Sequence, residues 1–113
     1  MHEMSIVLGI VKIAETEAIK AGVDGFAEIE LEIGTLSGVQ LEALNFAWQA
    51  AVSGSVLESA VKHIHTIQAK ALCSDCQTTY DLHYIHDCCP QCGSFLKHVT
   101  QGKELRVKSL DTF

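Results

Sequence analysis

Two pairs of cysteines, each separated by two residues, constrain the fold of this chain more than any other feature. Cys73 and Cys76 form the first pair, and Cys89 and Cys92 form the second in the sequence Cys-Pro-Gln-Cys-Gly. Two intervening residues let one tight turn direct both sulfurs at a single tetrahedral ion, and a second turn closes the site from the other side. Four thiolates leave zinc no open coordination position, so the pattern predicts a structural zinc site in a ribbon subdomain.

The fifth cysteine leaves the register of the second pair open. Cys88 directly precedes Cys89 and is either a spare thiol or the true ligand in a shifted register. Pro90 presets one backbone dihedral and Gly93 can adopt a left-handed conformation, so the turn favours Cys89. A disulfide framework is the alternative to a metal, but two such turns without a signal peptide are more typical of a reducing compartment.

Composition limits the classes of protein to which the chain can belong. It has 113 residues, 48% of them hydrophobic, which suits one compact domain or a small domain with an insert. The formal net charge is −6 and the eight Lys and Arg residues are scattered, which argues against binding of nucleic-acid backbones. The sequence shows neither a transmembrane-length apolar run nor a secretory signal. We therefore expect a cytoplasmic protein with no membrane or nucleic-acid partner.

Hydrophobic periodicity predicts an α+β fold. Apolar residues recur at three- and four-residue spacing over 4–21 and 41–51, which predicts two helices. Ser37 with Gln40 matches a capping box for the second helix. Residues 26–33 alternate apolar side chains with glutamates, which predicts a strand with one acidic face.

Two further strands are predicted on either side of the cysteine-rich segment, at 61–67 and 104–110. We expect these two strands to pair as a hairpin into which the ribbon is inserted. The predicted architecture is two helices on a three-stranded sheet with an inserted zinc ribbon. The predicted domains are 1–68 plus 99–113 for the α+β part and 69–98 for the zinc-binding ribbon.

Histidines supply two further candidates for metal binding. The α-amine of Met1, the backbone nitrogen of His2 and the His2 Nδ1 can close adjacent chelate rings on one ion, and Glu3 adds a backbone nitrogen and a carboxylate. Nitrogen-rich donor sets of this kind suit Ni(II) or Cu(II). His63 and His65 lie at spacing two in a predicted strand and form the second candidate, with ordinary half-exposed histidines as the alternative.

Four motifs, in one order along the whole chain, resemble the HypA/HybF family of nickel-delivery accessory proteins of [NiFe]-hydrogenase maturation. They are the opening Met-His-Glu-Met-Ser, the stretch Leu-Glu-Ile-Gly-Thr-Leu-Ser-Gly-Val at 31–39, the second cysteine turn, and the ending Gly-Lys-Glu-Leu-Arg-Val-Lys-Ser-Leu at 102–110. The resemblance implies a nickel metallochaperone and not an enzyme. It implies that His2 binds nickel with support from Glu3, and that the four paired cysteines bind zinc. The implied partners are the GTPase HypB and the hydrogenase large subunit, and some family members also serve urease maturation.

Two other functions compete with this interpretation. The paired cysteines also resemble a rubredoxin-type iron site, which would make the chain an electron-transfer protein. A zinc-ribbon module that binds nucleic acid is the other alternative, and the net charge disfavours it. Cys88 is an extra thiol relative to the family pattern, and His83 and His86 lie between the cysteine pairs, where they either tune metal binding or are ordinary surface residues.

Overall fold

The computed structural model describes residues 2–113 and confirms the α+β prediction. Helix α1 spans His2–Ala21 and helix α2 spans Leu41–Val52. The strands of the described residues are β1 Glu28–Gly34, β2 Val61–Ile67, β3 Lys70–Cys73, β4 Thr79–Asp81, β5 Lys97–Gln101 and β6 Leu105–Asp111. Neither helix is long and apolar enough to cross a membrane.

The chain divides into two compact units. The first contains residues 1–31, 39–64 and 107–113, and the second contains 32–38 and 65–106. The predicted ribbon, 69–98, lies inside the second unit, which also takes in neighbouring strand segments. The predicted domain boundaries themselves stay a prediction.

Helix α1 follows its apolar periodicity. Its buried apolar side chains are those of Val7, Ile10, Ala14 and Ala18, at spacings of three and four residues. The helix ends in a Schellman arrangement, because the N–H of Val23 donates to Ala18 O at 3.1 Å and Gly22 has a φ of 67°. The buried side chains of α2 are those of Leu44, Ala47, Trp48 and Val52. The two helices contact each other in the first unit.

The predicted pairing of the strands that flank the cysteine-rich segment is wrong. The order in the first sheet is β2-β1-β6, so β1 lies between the two strands that we expected to pair. Ala27, just before β1, donates its N–H to Asp111 O at 2.7 Å and accepts the N–H of Val61 at 2.9 Å. The central place suits β1, whose Ile29 and Leu31 are almost fully buried, whereas β2 has no fully buried residue.

The predicted capping box at the start of α2 is also wrong. The N-cap residue is Gln40, and its side chain makes no capping hydrogen bond. Its main-chain N–H instead donates to Glu3 Oε2 of α1 at 3.3 Å. A carboxylate from a distant part of the sequence therefore accepts the N–H at the start of α2 that a local side chain was expected to accept.

The second unit contains its own three-stranded sheet, in the order β4-β3-β5, with both pairs antiparallel. Its small core consists of buried side chains that include two of the cysteines: Ala69, Ala71, Cys73, Tyr80, Leu82 and Cys89. Main chains approach closely at Gly34 and Gly102. A Cβ on Gly34 would overlap the Gly102 carbonyl, and a Cβ on Gly102, which has a φ of 115°, would overlap the main chain of Ala69.

Candidate metal centres

Four cysteine sulfurs converge in the second unit. The Sγ atoms of Cys73, Cys76, Cys89 and Cys92 all lie within 4.8 Å of one another. Cys73 Sγ and Cys92 Sγ are 3.5 Å apart, and Cys76 Sγ and Cys89 Sγ are 3.7 Å apart. Zinc–sulfur bonds of about 2.3 Å in a tetrahedron place sulfurs about 3.8 Å apart, so the cluster fits a tetrahedral zinc ion. These distances are far too long for disulfides, and all five cysteines are free.

The first cysteine turn is closed by main-chain hydrogen bonds. The N–H of Gln77 donates to Cys73 O at 3.0 Å, and the N–H of Cys73 donates to Thr78 O at 2.8 Å. Gln77 has a φ of 65° and is the only described non-glycine residue with a positive φ. The turn therefore holds both sulfurs on one side at the cost of a strained backbone at Gln77.

The second turn repeats the first with a glycine in the strained position. The N–H of Gly93 donates to Cys89 O at 2.8 Å, and the N–H of Cys89 donates to Ser94 O at 2.8 Å. Gly93 has a φ of 78° and occupies the place of Gln77. The N–H of Gln91 lies 3.4 Å from Cys89 Sγ and points a donor at the sulfur. Two turns of the same construction thus face each other across the sulfur cluster.

The thiols of the cluster differ in acidity. The hydroxyl of Thr78, 3.1 Å from Cys76 Sγ, is the main reason that the pKa of Cys76 falls to about 6. The N–H of Ser94 favours the Cys92 thiolate, but hydrogen bonds to the other thiols, that of Cys73 foremost, raise the pKa of Cys92 to about 12. The cluster is therefore poised to hold at least one thiolate at neutral pH, and metal binding would have to displace protons from the remainder.

The remaining predicted candidates of this segment lie outside the cluster. Cys88 is exposed and is not part of the converging group, whereas Cys89 is buried. His83 and His86 are exposed on the loop between β4 and the second turn. Sequence reasoning missed Thr78. The sequence feature that could have identified it is a hydroxyl side chain two residues after Cys76.

The N-terminal candidate lies at the start of α1, in the first unit. The His2 side chain is 63% exposed, whereas that of Glu3 is 5% exposed, and His2 Nε2 lies 3.1 Å from Glu3 Oε2. The predicted donor atoms of Met1 lie outside the described residues. The structure thus brings the His2 ring and the Glu3 carboxylate together, with the ring on the outside.

Glu3 has a second contact that sequence reasoning missed. The hydrogen bond from the N–H of Gln40 is the main reason that the pKa of Glu3 is lowered, and burial opposes this effect. A usable signal existed, because Glu3 lies four residues before Val7 and so extends the buried stripe of α1 toward the N-terminus. The carboxylate therefore stays ionised while it contacts both the start of α2 and the His2 ring.

The two strand histidines differ in their surroundings. His63 Nε2 lies 2.7 Å from Glu28 Oε1 in the first unit, and both side chains are about half exposed. His65 is exposed and belongs to the second unit. Among the described residues, the only group of three or more His, Cys, Asp or Glu side chains that converges is the four-cysteine cluster.

Comparison with known proteins decides the family. A family model described as "Hydrogenase/urease nickel incorporation, metallochaperone, hypA" matches residues 1–112. The chain belongs to the HypA family. The resemblance seen in the sequence is thereby confirmed, as is the prediction of a metallochaperone and maturation factor that is not an enzyme.

The matches to individual relatives cover almost the whole length of both chains. The chain is 46% identical to the hydrogenase maturation factor HypA of Parabacteroides distasonis over 110 residues, which cover 97% of this chain and 96% of that one. It is 35% identical to the hydrogenase maturation factor HybF of Klebsiella pneumoniae, with 98% of both chains covered. The solution structure of the nickel metallochaperone HypA from Helicobacter pylori is 25% identical and covers 99% of this chain and 97% of its own, with a TM-score of 0.70.

Proposed function

We propose that this protein binds Ni(II) at its N-terminus and delivers it to the large subunit of a [NiFe]-hydrogenase, while a structural zinc ion holds the cysteine cluster. The nickel donors are the α-amine of Met1, the backbone nitrogen and Nδ1 of His2, and the backbone nitrogen of Glu3. The partners are the GTPase HypB and the hydrogenase large subunit, with urease accessory proteins as a further possibility within this family. The proposed compartment is the cytoplasm.

The observation that carries this proposal is the contact between His2 and Glu3. The carboxylate lies beside Nε2, so it favours the tautomer with the proton on Nε2 and leaves the lone pair on Nδ1. Nδ1 is the atom that closes a chelate ring with the backbone nitrogen of the same residue. A carboxylate that orients a metal-binding histidine is a common arrangement in metal sites. Glu3 therefore supports the site through its side chain and leaves ligation to nitrogen atoms.

The helix start supplies the backbone donors. Because α1 begins at His2, the first N–H groups of the helix have no carbonyl partner within it. An amide of His2 or Glu3 can lose its proton to nickel without breaking an α-helical hydrogen bond. Nickel at this end is also exposed to a partner, as cargo that must be passed on requires. Since the donors lose protons on binding, we expect nickel uptake to weaken on acidification.

The zinc part of the proposal depends on the cysteine geometry. Four thiolates at tetrahedral spacing, two of them buried, leave no position for substrate or for rapid exchange. The zinc ion would join the two turns and thereby fold the second unit. The two metals would then have separate tasks, one in structure and one in delivery.

Nickel titration by calorimetry of the zinc-loaded full-length protein tests the nickel site. His2→Ala is expected to lower the Ni(II) affinity more than about a hundredfold, since loss of a mere orienting neighbour already costs 10–100-fold. Zinc content and circular dichroism should not change, because the His2 side chain is mostly exposed. A chain with one extra residue before Met1 keeps every side chain but moves the amine, and it should also lose tight nickel binding.

His63→Ala is the matched control. It removes another exposed histidine that contacts a glutamate, and it should leave nickel binding unchanged. Unchanged affinity in His2→Ala together with loss in His63→Ala would move the nickel site to the strand. Loss of the fold in His2→Ala would instead make His2 a structural residue.

A further inference from the structure

An open groove lies in the second unit, beside the loop that connects β4 to the second cysteine turn. Its volume is 430 Å³, and its lining includes Leu36, His83, Tyr84, Ile85, His86 and Lys103. Tyr84 is 64% exposed and Ile85 is 53% exposed. Large apolar side chains at this exposure, gathered around one groove, are typical of recognition surfaces.

The loop is held rigidly in this shape. Asp87 Oδ2 accepts the N–H of His83 at 2.9 Å and the N–H of Tyr84 at 3.1 Å. Lys97 Nζ donates to Ile85 O at 2.8 Å and ties the loop to β5. These polar contacts order a loop whose two largest apolar side chains face outward, so the loop itself loses less conformational entropy when a partner binds.

The exposed rings form a flat surface. The Tyr84 and His86 rings are stacked, with centroids 5.5 Å apart and an angle of 16° between their planes. Stacking fixes the Tyr84 ring, so it presents area for an apolar side chain without further ordering. Leu36, which packs on the core of the second unit, adds an apolar wall.

The charge of the groove is opposite to that of the chain. The protein carries fourteen acidic and eight basic residues, yet the described lining residues contain Lys103 and two histidines but no carboxylate. The two acids nearest in sequence are engaged with backbone amides, Asp87 as described and Glu104 with the N–H of Gly102 at 2.7 Å. Lys103 supplies a positive charge to the groove and no carboxylate is among its described lining residues, so a carboxylate on a partner would meet a cation there.

We propose that this groove binds an extended segment of a partner protein in which an apolar side chain is next to acidic ones. The apolar side chain lies against Tyr84 and Ile85, and a carboxylate lies beside Lys103. The residues that line this groove are not among the proposed nickel donors, so the proposed function and this inference can fail independently.

Selection from a display library of random decapeptides on the zinc-loaded full-length protein tests the chemistry. The expected consensus has an aromatic or large aliphatic residue flanked by Asp or Glu. A parallel selection on the Lys103→Glu variant should lose the acidic preference. No consensus, or one without acidic residues, would overturn the proposal.

The consensus peptide is then titrated by fluorescence anisotropy and by amide chemical shifts. Tyr84→Ala and Ile85→Ala should each weaken binding about tenfold, and Lys103→Glu about fivefold. Phe46→Ala removes an aromatic side chain that is 81% exposed in the first unit, and it should leave the affinity unchanged. Zinc content verifies that each variant retains its fold.

Two results of this titration contradict the proposal. Shift changes centred outside residues 83–86 and 103, or an equal loss of affinity in Phe46→Ala, would place the peptide elsewhere. Concentration-dependent shifts of the groove residues without peptide would assign the groove to a second copy of this chain.

Discussion

The cysteine cluster and the N-terminal candidate hold their donor atoms in opposite ways. Each cysteine pair stands on a turn closed by main-chain hydrogen bonds, and Cys73 and Cys89 are buried. The His2 ring is mostly exposed and contacts the Glu3 carboxylate. A closed set of thiolates suits an ion that remains with the protein, whereas an exposed ring at a chain end suits an ion that leaves it. Under the proposed function, accessibility would separate the structural metal from the delivered one more than ligand type alone.

The largest expected effect separates the two adjacent cysteines. Cys89→Ser should abolish tight zinc binding and unfold the second unit, because the apparent zinc-binding free energy of such sites, about 10–16 kcal/mol, is also folding free energy. Cys88→Ser should retain one zinc per chain, since Cys88 is exposed and outside the cluster. Elemental analysis and circular dichroism measure both quantities. The reverse pattern, with zinc kept in Cys89→Ser and lost in Cys88→Ser, would mean that the assigned register is wrong.

The next effect tests whether the N-terminal candidate is as independent of the fold as its exposure suggests. Glu3→Ala should lower the Tm by about 5 °C at pH 7, because it removes the acceptor for the Gln40 N–H at the start of α2. His2→Ala should change the Tm by less than about 1 °C, because its ring is mostly exposed. Nickel binding should fall in both variants. Equal Tm values for the two variants would show that the Glu3 side chain does not stabilise the fold.

The same contact predicts a pH dependence. The pKa of Glu3 is lowered in the folded protein, mainly by the Gln40 N–H, so its contribution to stability is complete above the ordinary value of 4.5. That contribution is lost as the pH falls through the lowered pKa of the folded state. The Tm difference between wild type and Glu3→Ala should therefore shrink below pH 4.5. A difference that stays constant to pH 2 would contradict the assignment.

Local patterns carried most of what the sequence could predict. The cysteine turns were predictable because two intervening residues define a tight turn, with a glycine after the second pair, and α1 was predictable because its apolar residues recur at three- and four-residue spacing. The order of the strands could not be predicted from the sequence, because pairing of β1 with both β2 and β6 joins segments far apart in sequence. Adjacency along the chain favoured a hairpin of β2 and β6, and burial of the β1 side chains favoured the observed order instead.

In the candidate sites too, local sequence identified the residues but not their contacts with distant segments. The four converging cysteines could be named from spacing, but the acidity of Cys76 depends on how the turn places Thr78. His2 could be named from its position, but the role of Glu3 depends on Gln40, 37 residues away. The alternation predicted the acidic face of β1 but not its partners, since Glu28 contacts His63 and Glu32 contacts Arg106. Side-chain partners from distant segments are what sequence patterns leave out.

A smaller effect on stability is expected from substitutions at the equivalent positions of the two cysteine turns. Gly93→Ala should destabilise the second unit by about 1 kcal/mol, because it places a Cβ at a φ of 78°. Gln77→Gly relieves the same strain in the first turn, and it should leave stability unchanged or raise it by up to about 0.5 kcal/mol. Thermal unfolding of the zinc-loaded proteins measures both changes. Effects of the same sign would show that the two turns are not equivalent.

The smallest expected effect concerns one proton at Cys76. Its pKa of about 6, due chiefly to the Thr78 hydroxyl, makes it a thiolate at pH 7, so zinc binding should release no proton from this residue. Thr78→Val removes the hydroxyl, and the pKa should rise toward the ordinary value of 9.0, so zinc loading at pH 7 should release up to about one proton more than in wild type. Calorimetry in buffers of different ionisation enthalpy counts these protons, and the difference should shrink as the pH rises through 9, because Cys76 becomes a thiolate in both proteins. Thr79→Val, which changes the adjacent threonine on β4, should leave the count as it is. An unchanged count in Thr78→Val would mean that the sulfur cluster, and not the threonine, sets the acidity of the first turn.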